Sequence, residues 1–238
     1  MRRRATASAD RERQVLALWE GTVGLDRWKR DDALLGGEAT APRGLGARNL
    51  GLLALRNTLF DRRWALRSAC PACATECEFT VDCVSLTEQL GACPVEERTA
   101  VEWDGQTLSA RPPTVDDLVS AARAADVTGA VQTLLLRCLD GAAGLPIEDC
   151  AIEGLEAQLE ALDPAASIAF ELRCIGCGHD WSSLLDVGEA LSAELQRAAE
   201  RTLTDVDALA RAYGWTEAEV MQLSPIRRAA YLQLVEAV

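Results

Sequence analysis

The sequence predicts an α+β fold, predominantly helical, with a small antiparallel sheet. Apolar residues recur at helical spacing through most of the 238 residues. A few short stretches instead alternate polar and apolar, as half-buried strands do. Two Cys-x-x-Cys pairs, Cys70/Cys73 and Cys174/Cys177, lie next to such stretches.

In chain order, Ala9–Glu20 places Val15, Leu18 and Trp19 on a helix that Gly21 and Gly24 interrupt, and a Gly- and Pro-rich loop follows from Gly36 to Gly44. From Gly46 to Leu66 the spacing of Leu52, Leu55, Leu59 and Leu66 predicts a helix running on towards Cys70. Glu76–Val84 alternates as a strand. Ala100–Trp103 and Thr107–Ala110 read as a second strand pair joined by an Asp104-Gly105 turn. Thr114 with Asp117 three places on is a capping box, so helix returns there. Further helices are expected over Val131–Leu139 and over Ile152–Leu162, the latter closed by Asp163-Pro164. Ser167–Leu172 alternates again and runs into Cys174. Beyond Asp186 the chain reads as helix: a long amphipathic one stopped by Gly214, a short one with a Thr216/Glu219 capping box, and a last one opened by Ser224-Pro225. Three parts are predicted: an N-terminal helical segment over 1–69, a cysteine-bearing domain over 70–187 with a helical insertion at about 114–163, and a C-terminal helical segment over 188–238.

Nine cysteines in a chain without a signal-peptide pattern point to metal and not to disulfides; an odd number fits a disulfide framework poorly. Two residues between thiolates let one tight turn aim both sulfurs at one ion, and two such turns complete the tetrahedral shell that Zn²⁺ prefers. The expected site is therefore structural zinc on Cys70, Cys73, Cys174 and Cys177. The small sheet becomes zinc-ribbon-like, its two halves separated by the insertion. A redox pair and unrelated thiols are the alternatives, and Cys77 and His179 are the nearest substitute ligands. Four thiolates leave no coordination position for water or substrate. With one histidine, and with neither a P-loop nor a G-x-G-x-x-G motif, catalysis is not expected.

Charge is unevenly spread. Residues 1–70 hold 14 Lys/Arg against 8 Asp/Glu (+6), and 71–238 hold 10 against 29 (−19), for a net −13. The acidic remainder disfavours binding to phosphate backbones, and the basic start is expected to meet an acidic surface of its own chain or of a partner, with Arg62, Arg63 and Arg67 as contacts. No apolar run approaches the roughly 20 residues of a membrane-spanning helix, so a cytoplasmic protein, or one incorporated into an assembled particle, is expected.

Several segments taken in order resemble a family. They are Leu16–Glu20, Arg48–Arg56 with Leu59-Phe60, Cys70–Cys73 followed by Glu78, Arg111–Thr114 with Asp117-Leu118, and Leu135–Cys138. Cys174–Trp181, Ala210–Glu217 and Leu223–Arg228 with Tyr231-Leu232 continue the series. Together they resemble the small baseplate proteins of T4-like contractile phage tails and related contractile injection systems. The Tyr-Gly-Trp…Leu-Ser-Pro-x-Arg-Arg ending is the most specific part. Ala74 departs from the glycine that the family's first cysteine turn tends to carry. The resemblance implies a part in baseplate or hub assembly, not a reaction, with other baseplate, hub and spike proteins as partners and neither nucleic acid nor membrane insertion. A zinc-ribbon nucleic-acid-binding or transcription-associated protein is the alternative, its last two helices read as helix-turn-helix.

Overall fold

A computed structural model describes residues 2–37, 44–92, 98–103, 106–140 and 157–236. The fold is mixed α+β, mostly helical with small antiparallel sheets. Its contacts gather it into two compact units, Met1–Gly36 with Gly188–Val238, and Gly37–Val187. The expected division cut the chain at 69/70. Residues 37–69 share a unit with the cysteines, and from Leu45 on they form a helix and a strand of that unit.

The first unit is helical. It comprises α1 (Arg2–Glu20), α2 (Arg27–Leu34), α8 (Val187–Tyr213), α9 (Glu217–Gln222) and α10 (Pro225–Glu236). The sequence reading did not anticipate α2, which Asp26 caps by accepting from the Lys29 N–H. Along α8, Leu191, Leu195, Ala199 and Leu209 form the buried stripe, and Leu16 of α1 and Met221 of α9 pack on Ala199 with Trp19 and Val206 alongside. Arg228 lies buried among them, its guanidinium 2.7 Å from Glu12 and 3.1 Å from Asp205. Gly188 is a close approach: a Cβ there would stand 2.4 Å from a carboxylate oxygen of buried Asp31. Gly214, at φ +69°, ends α8 as expected. Tyr213, Trp215 and Tyr231 then pack on one another, with Tyr213 and Trp215 stacked at 4.7 Å. Trp19 and Trp215 are thus engaged within their own unit.

In the second unit, α3 (Leu45–Leu59) buries Leu52, Leu53 and Leu59. The expected helix to Leu66 stops at Leu59, and β1 (Arg63–Ala69) follows. A spacing of seven from Leu59 to Leu66 suits a helix, but Trp64 and Leu66 alternate with exposed neighbours, and that local pattern prevails. Arg56 closes the junction: fully buried, it donates to the carbonyls of Asp61 (2.6 Å) and Arg63 (3.1 Å) and lies 4.9 Å over the Trp64 ring. β2 (Glu76–Asp82) pairs antiparallel with β1 from Ala69↔Glu76 to Arg63↔Asp82. The expected strand ends at Asp82, not Val84. There Asp82 accepts from the Ser85 N–H at 3.0 Å and starts α4 (Cys83–Gly91), a helix with no counterpart in the sequence reading.

The insertion carries β3 (Thr99–Trp103), β4 (Gln106–Ala110), α5 (Val115–Ala121), α6 (Val127–Cys138) and β5 (Leu139–Asp140). The order β3–β4–β5 makes one antiparallel sheet. Helix α6 starts earlier than expected because Asp126 caps it through the Gly129 N–H at 2.8 Å. Of the helix expected over 152–162, residues 157–162 are helical and form the described part of α7; the rest, with Cys93, Cys150 and the Asp104-Gly105 turn, lies outside the described residues. Val101, Ala110, Leu135, Cys138, Leu139, Leu159 and Leu162 form the core of this part. A last hairpin, β6 (Ala169–Arg173) and β7 (Asp180–Leu184), completes the unit. Among the described residues no helix is long and apolar enough to cross a membrane.

Candidate metal centre

Each Cys-x-x-Cys pair occupies the tip of a two-stranded hairpin. Strand pairing ends at Ala69↔Glu76 in the first and at Arg173↔Asp180 in the second, so both tips are six residues long, 70–75 and 174–179. Their hydrogen bonds correspond one for one. The Cys70 N–H donates to the Thr75 carbonyl (2.9 Å) and the Ala74 N–H to the Cys70 carbonyl (2.8 Å); the Cys174 N–H donates to the His179 carbonyl (2.9 Å) and the Gly178 N–H to the Cys174 carbonyl (2.9 Å). A register shift of 104 residues maps one turn onto the other.

The turns converge tip to tip. The Cys70 and Cys177 sulfurs are 3.7 Å apart and those of Cys73 and Cys174 are 3.5 Å apart. All four sulfurs lie within 4.8 Å of one another, the one cluster of three or more ligating side chains found among the described residues. Thiolates on a tetrahedral ion with bonds near 2.3 Å stand about 3.8 Å apart, so the donor set and its spacing fit such an ion. Cys70 and Cys174 are buried, whereas Cys73 and Cys177 are exposed. The sequence reading named these four, and the fold brings all four together.

Backbone N–H groups point at the sulfurs. Cys174 accepts from Cys177 and, at 3.3 Å, from Gly176, and these bonds draw its thiol down to about 6. The His179 N–H pulls Cys177 down too, yet the Cys73 sulfur, burial and the Cys174 and Cys70 sulfurs outweigh it and push that thiol up to about 12. In the first turn the Thr75 hydroxyl, 3.2 Å from the Cys73 sulfur, and the Thr75 N–H draw Cys73 down. Four neighbouring thiols thus cannot all ionise by themselves, and a metal ion held by them would supply the missing charge.

Cys77 and His179 stand outside the quartet. The His179 ring is exposed, and its backbone is what serves the turn. Cys77 is buried against Cys70 and Cys174 beside Trp181. The Ile175 N–H draws its thiol down, but burial and the adjacent Cys174 and Cys70 sulfurs prevail and push it up, which keeps it protonated. The sequence reading missed β1 and β7 as strands, and with them the contacts that join the hairpins: Phe79 tilted against Phe170 at 5.3 Å, and the Ser183 hydroxyl 2.8 Å from that of Ser68. Gly176 belongs to this junction as well, since a Cβ there would stand 2.9 Å from the Thr75 hydroxyl.

Ala74 and Gly178 are equivalent under the 104-residue shift, and both have positive φ, +59° and +74°. Among the described residues Ala74 is the one non-glycine in that region. Its turn keeps the full hydrogen-bond pattern, so the departure from glycine is carried as backbone strain and not as a different turn. Ala74→Gly is therefore expected to raise the stability of the metal-loaded protein by about 1 kcal/mol, the entropy of a freer unfolded chain offsetting part of the relief. A higher urea midpoint at unchanged slope reads this out; a lower midpoint contradicts the strain.

No known family model matches the chain, and neither the curated proteins nor the solved structures contain a match to it.

Proposed function

We propose that Cys70, Cys73, Cys174 and Cys177 hold one structural Zn²⁺ in a zinc-ribbon-like unit with a helical insertion, and that the protein is a structural or assembly component of the baseplate of a contractile phage tail-like injection system. The observation that carries the metal reading is the convergence of two equivalent cysteine turns on one four-sulfur cluster. Zinc suits it because an all-sulfur tetrahedral set favours soft or borderline ions, and Zn²⁺ needs no redox partner. An ion closed in by four thiolates offers no site for a water or a substrate, which supports a non-enzymatic role. The baseplate reading rests on the ordered sequence resemblance running from Leu16 to Leu232. Its partners are then other baseplate, hub and spike proteins, met in the cytoplasm or in the particle itself.

Deleting the gene in a particle-producing strain tests this. The expected result is loss of complete contractile particles while their other components are still synthesised. Normal particles from the deletion strain overturn the proposal. Mass spectrometry of purified wild-type particles separates the two forms of the role, since a lasting component is present in them and an assembly factor is not. A salt-titrated DNA-binding assay tests the nucleic-acid alternative, which requires affinity that falls steeply with salt.

A further inference from the structure

Cys73 and Cys177 are the two exposed members of the quartet. Each is followed two places on by the residue that closes its turn, Thr75 in the first and His179 in the second. The two backbones serve their turns alike. Each carbonyl accepts from the first cysteine of its turn at 2.9 Å, and each N–H is directed at the sulfur of the second. The side chains differ. The His179 ring is exposed and bonds no sulfur among the described residues. The Thr75 hydroxyl lies 3.2 Å from the Cys73 sulfur, its one hydrogen-bonding partner among the described residues.

A thiolate bound to a metal carries no proton, so in the loaded protein that contact runs from the hydroxyl to the sulfur. Thr75 also reaches the other turn. A Cβ on Gly176, which lies between Cys174 and Cys177, would stand 2.9 Å from the Thr75 hydroxyl oxygen and 3.6 Å from its methyl carbon. One side chain thus touches a ligand of its own hairpin and the backbone of the second, and those hairpins belong to separate sheets.

We propose, on the basis of the zinc site argued above, that Thr75 is a positioning residue of the metal centre. Its hydroxyl donates to the Cys73 thiolate while its side chain bears on Gly176, and this holds the exposed Cys73 corner of the shell against the second turn. A donor on a thiolate favours the anionic form that binds metal, and groups that orient a ligand in this way contribute about 10–100-fold to metal affinity. The need is greatest at an exposed corner, where water stands ready to replace a loosened sulfur.

The test compares the full wild-type chain with Thr75→Val, Thr75→Ser and His179→Ala, by competition for zinc with a chromophoric chelator and by the sulfur-to-metal absorption of the Co²⁺-loaded proteins. Valine keeps the branched shape against Gly176 and removes the donor alone. Thr75→Val is expected to weaken zinc binding about tenfold and to shift the cobalt charge-transfer band, whereas Thr75→Ser stays within about twofold of the wild type and His179→Ala moves neither readout. Gly176→Ala pushes into the Thr75 hydroxyl and is expected to weaken binding as well, yet to cost little more once Thr75 is replaced by alanine, because both substitutions break one contact. Zinc affinity of Thr75→Val within about twofold of the wild type, below what an orienting group contributes, overturns the proposal and leaves the zinc site standing. A Thr75→Ser protein no better than Thr75→Val does the same. A wild-type chain that takes up neither zinc nor cobalt overturns both. Should Thr75→Val not fold, the cycle of Gly176→Ala with Thr75→Ala decides, since additive losses contradict the contact.

Discussion

Cys174→Ser and Cys70→Ser are each expected to lose the bound metal and to unfold the unit over 37–187. Metal binding in four-cysteine sites contributes on the order of 10 kcal/mol or more, comparable with the whole stability of a domain at about 5–15 kcal/mol. Hairpins β1–β2 and β6–β7 belong to separate sheets and share no ladder hydrogen bonds. Besides the sulfur cluster, the contacts described between them are one aromatic pair, one hydroxyl–hydroxyl bond, the Ile175 N–H on the Cys77 sulfur with Trp181 beside it, and Gly176 against Thr75. Those contribute about 1 kcal/mol each, far too little to hold the tips together. Metal analysis is expected to give one zinc per wild-type chain and none in either variant, with excess chelator reproducing the unfolding in circular dichroism. Cys77→Ser is the control, since Cys77 is outside the quartet: it should keep the metal and lose only packing. A Cys174→Ser protein that melts like the wild type, or a wild type without zinc, contradicts the reading.

The cysteine quartet could be read from sequence because Cys-x-x-Cys encodes its own local geometry. The two-residue gap forces a turn, and only the pairing of one turn with the other is long-range. The α8 stop at Gly214 and the capping boxes at Thr114 and Thr216 are local in the same sense, and the structure reproduces them. What escaped was decided at a distance. β1 exists because β2 offers it a partner along seven residues, and its apolar spacing alone fits a helix as well. β7 carries Asp180-Trp181-Ser182-Ser183-Leu184, too polar to announce a strand, and pairs because β6 lies opposite. Helix α4 was hidden by alternation that continues through Cys83, while the Asp82 cap that redirects the chain is one carboxylate. The charge asymmetry shows the same limit. Arg62 pairs with Asp82, and Arg67 stands 2.6 Å from Glu78, so these two meet acidic residues of their own chain, in the strand of their own hairpin. As exposed pairs they contribute about 0–1 kcal/mol each. In the other unit the opposite-sign contacts do join the chain's two ends, Arg30 with Glu189 and Glu12 with Arg228.

Asp117→Asn is expected to destabilise the insertion by about 3 kcal/mol, the lower end of the range for breaking a buried ion pair, because its arginine partners retain some access to water. The Asp117 carboxylate is fully buried and fully engaged. Oδ2 accepts from Arg111 (2.6 Å) and from the Thr114 N–H and hydroxyl (both 2.8 Å), and Oδ1 accepts from Arg111 (3.0 Å) and Arg137 (2.9 Å). Arg111 also donates to the Arg137 carbonyl at 2.8 Å, so the end of β4, the start of α5 and the end of α6 meet at one side chain. Burial alone would raise the Asp117 carboxyl, but Arg111 and Thr114 overcome it and hold the group well below the usual carboxylate range. The direction fixes the pH dependence: the stabilisation is complete above the unfolded-state pKa of about 3.9 and drains away as pH falls below that, through the depressed folded value. Asparagine keeps the shape but turns an amide N–H₂ towards arginine donors, so the variant loses the charge and a usable acceptor together. Arg137→Ala removes a partner whose side chain is 42% exposed and should cost about 1 kcal/mol or less. Urea titrations of the three proteins at pH 7, where the thiolates keep the metal, measure both costs. An advantage of the wild type over Asp117→Asn within about 0.5 kcal/mol of zero, no more than an ordinary surface substitution gives, contradicts the role assigned to this carboxylate.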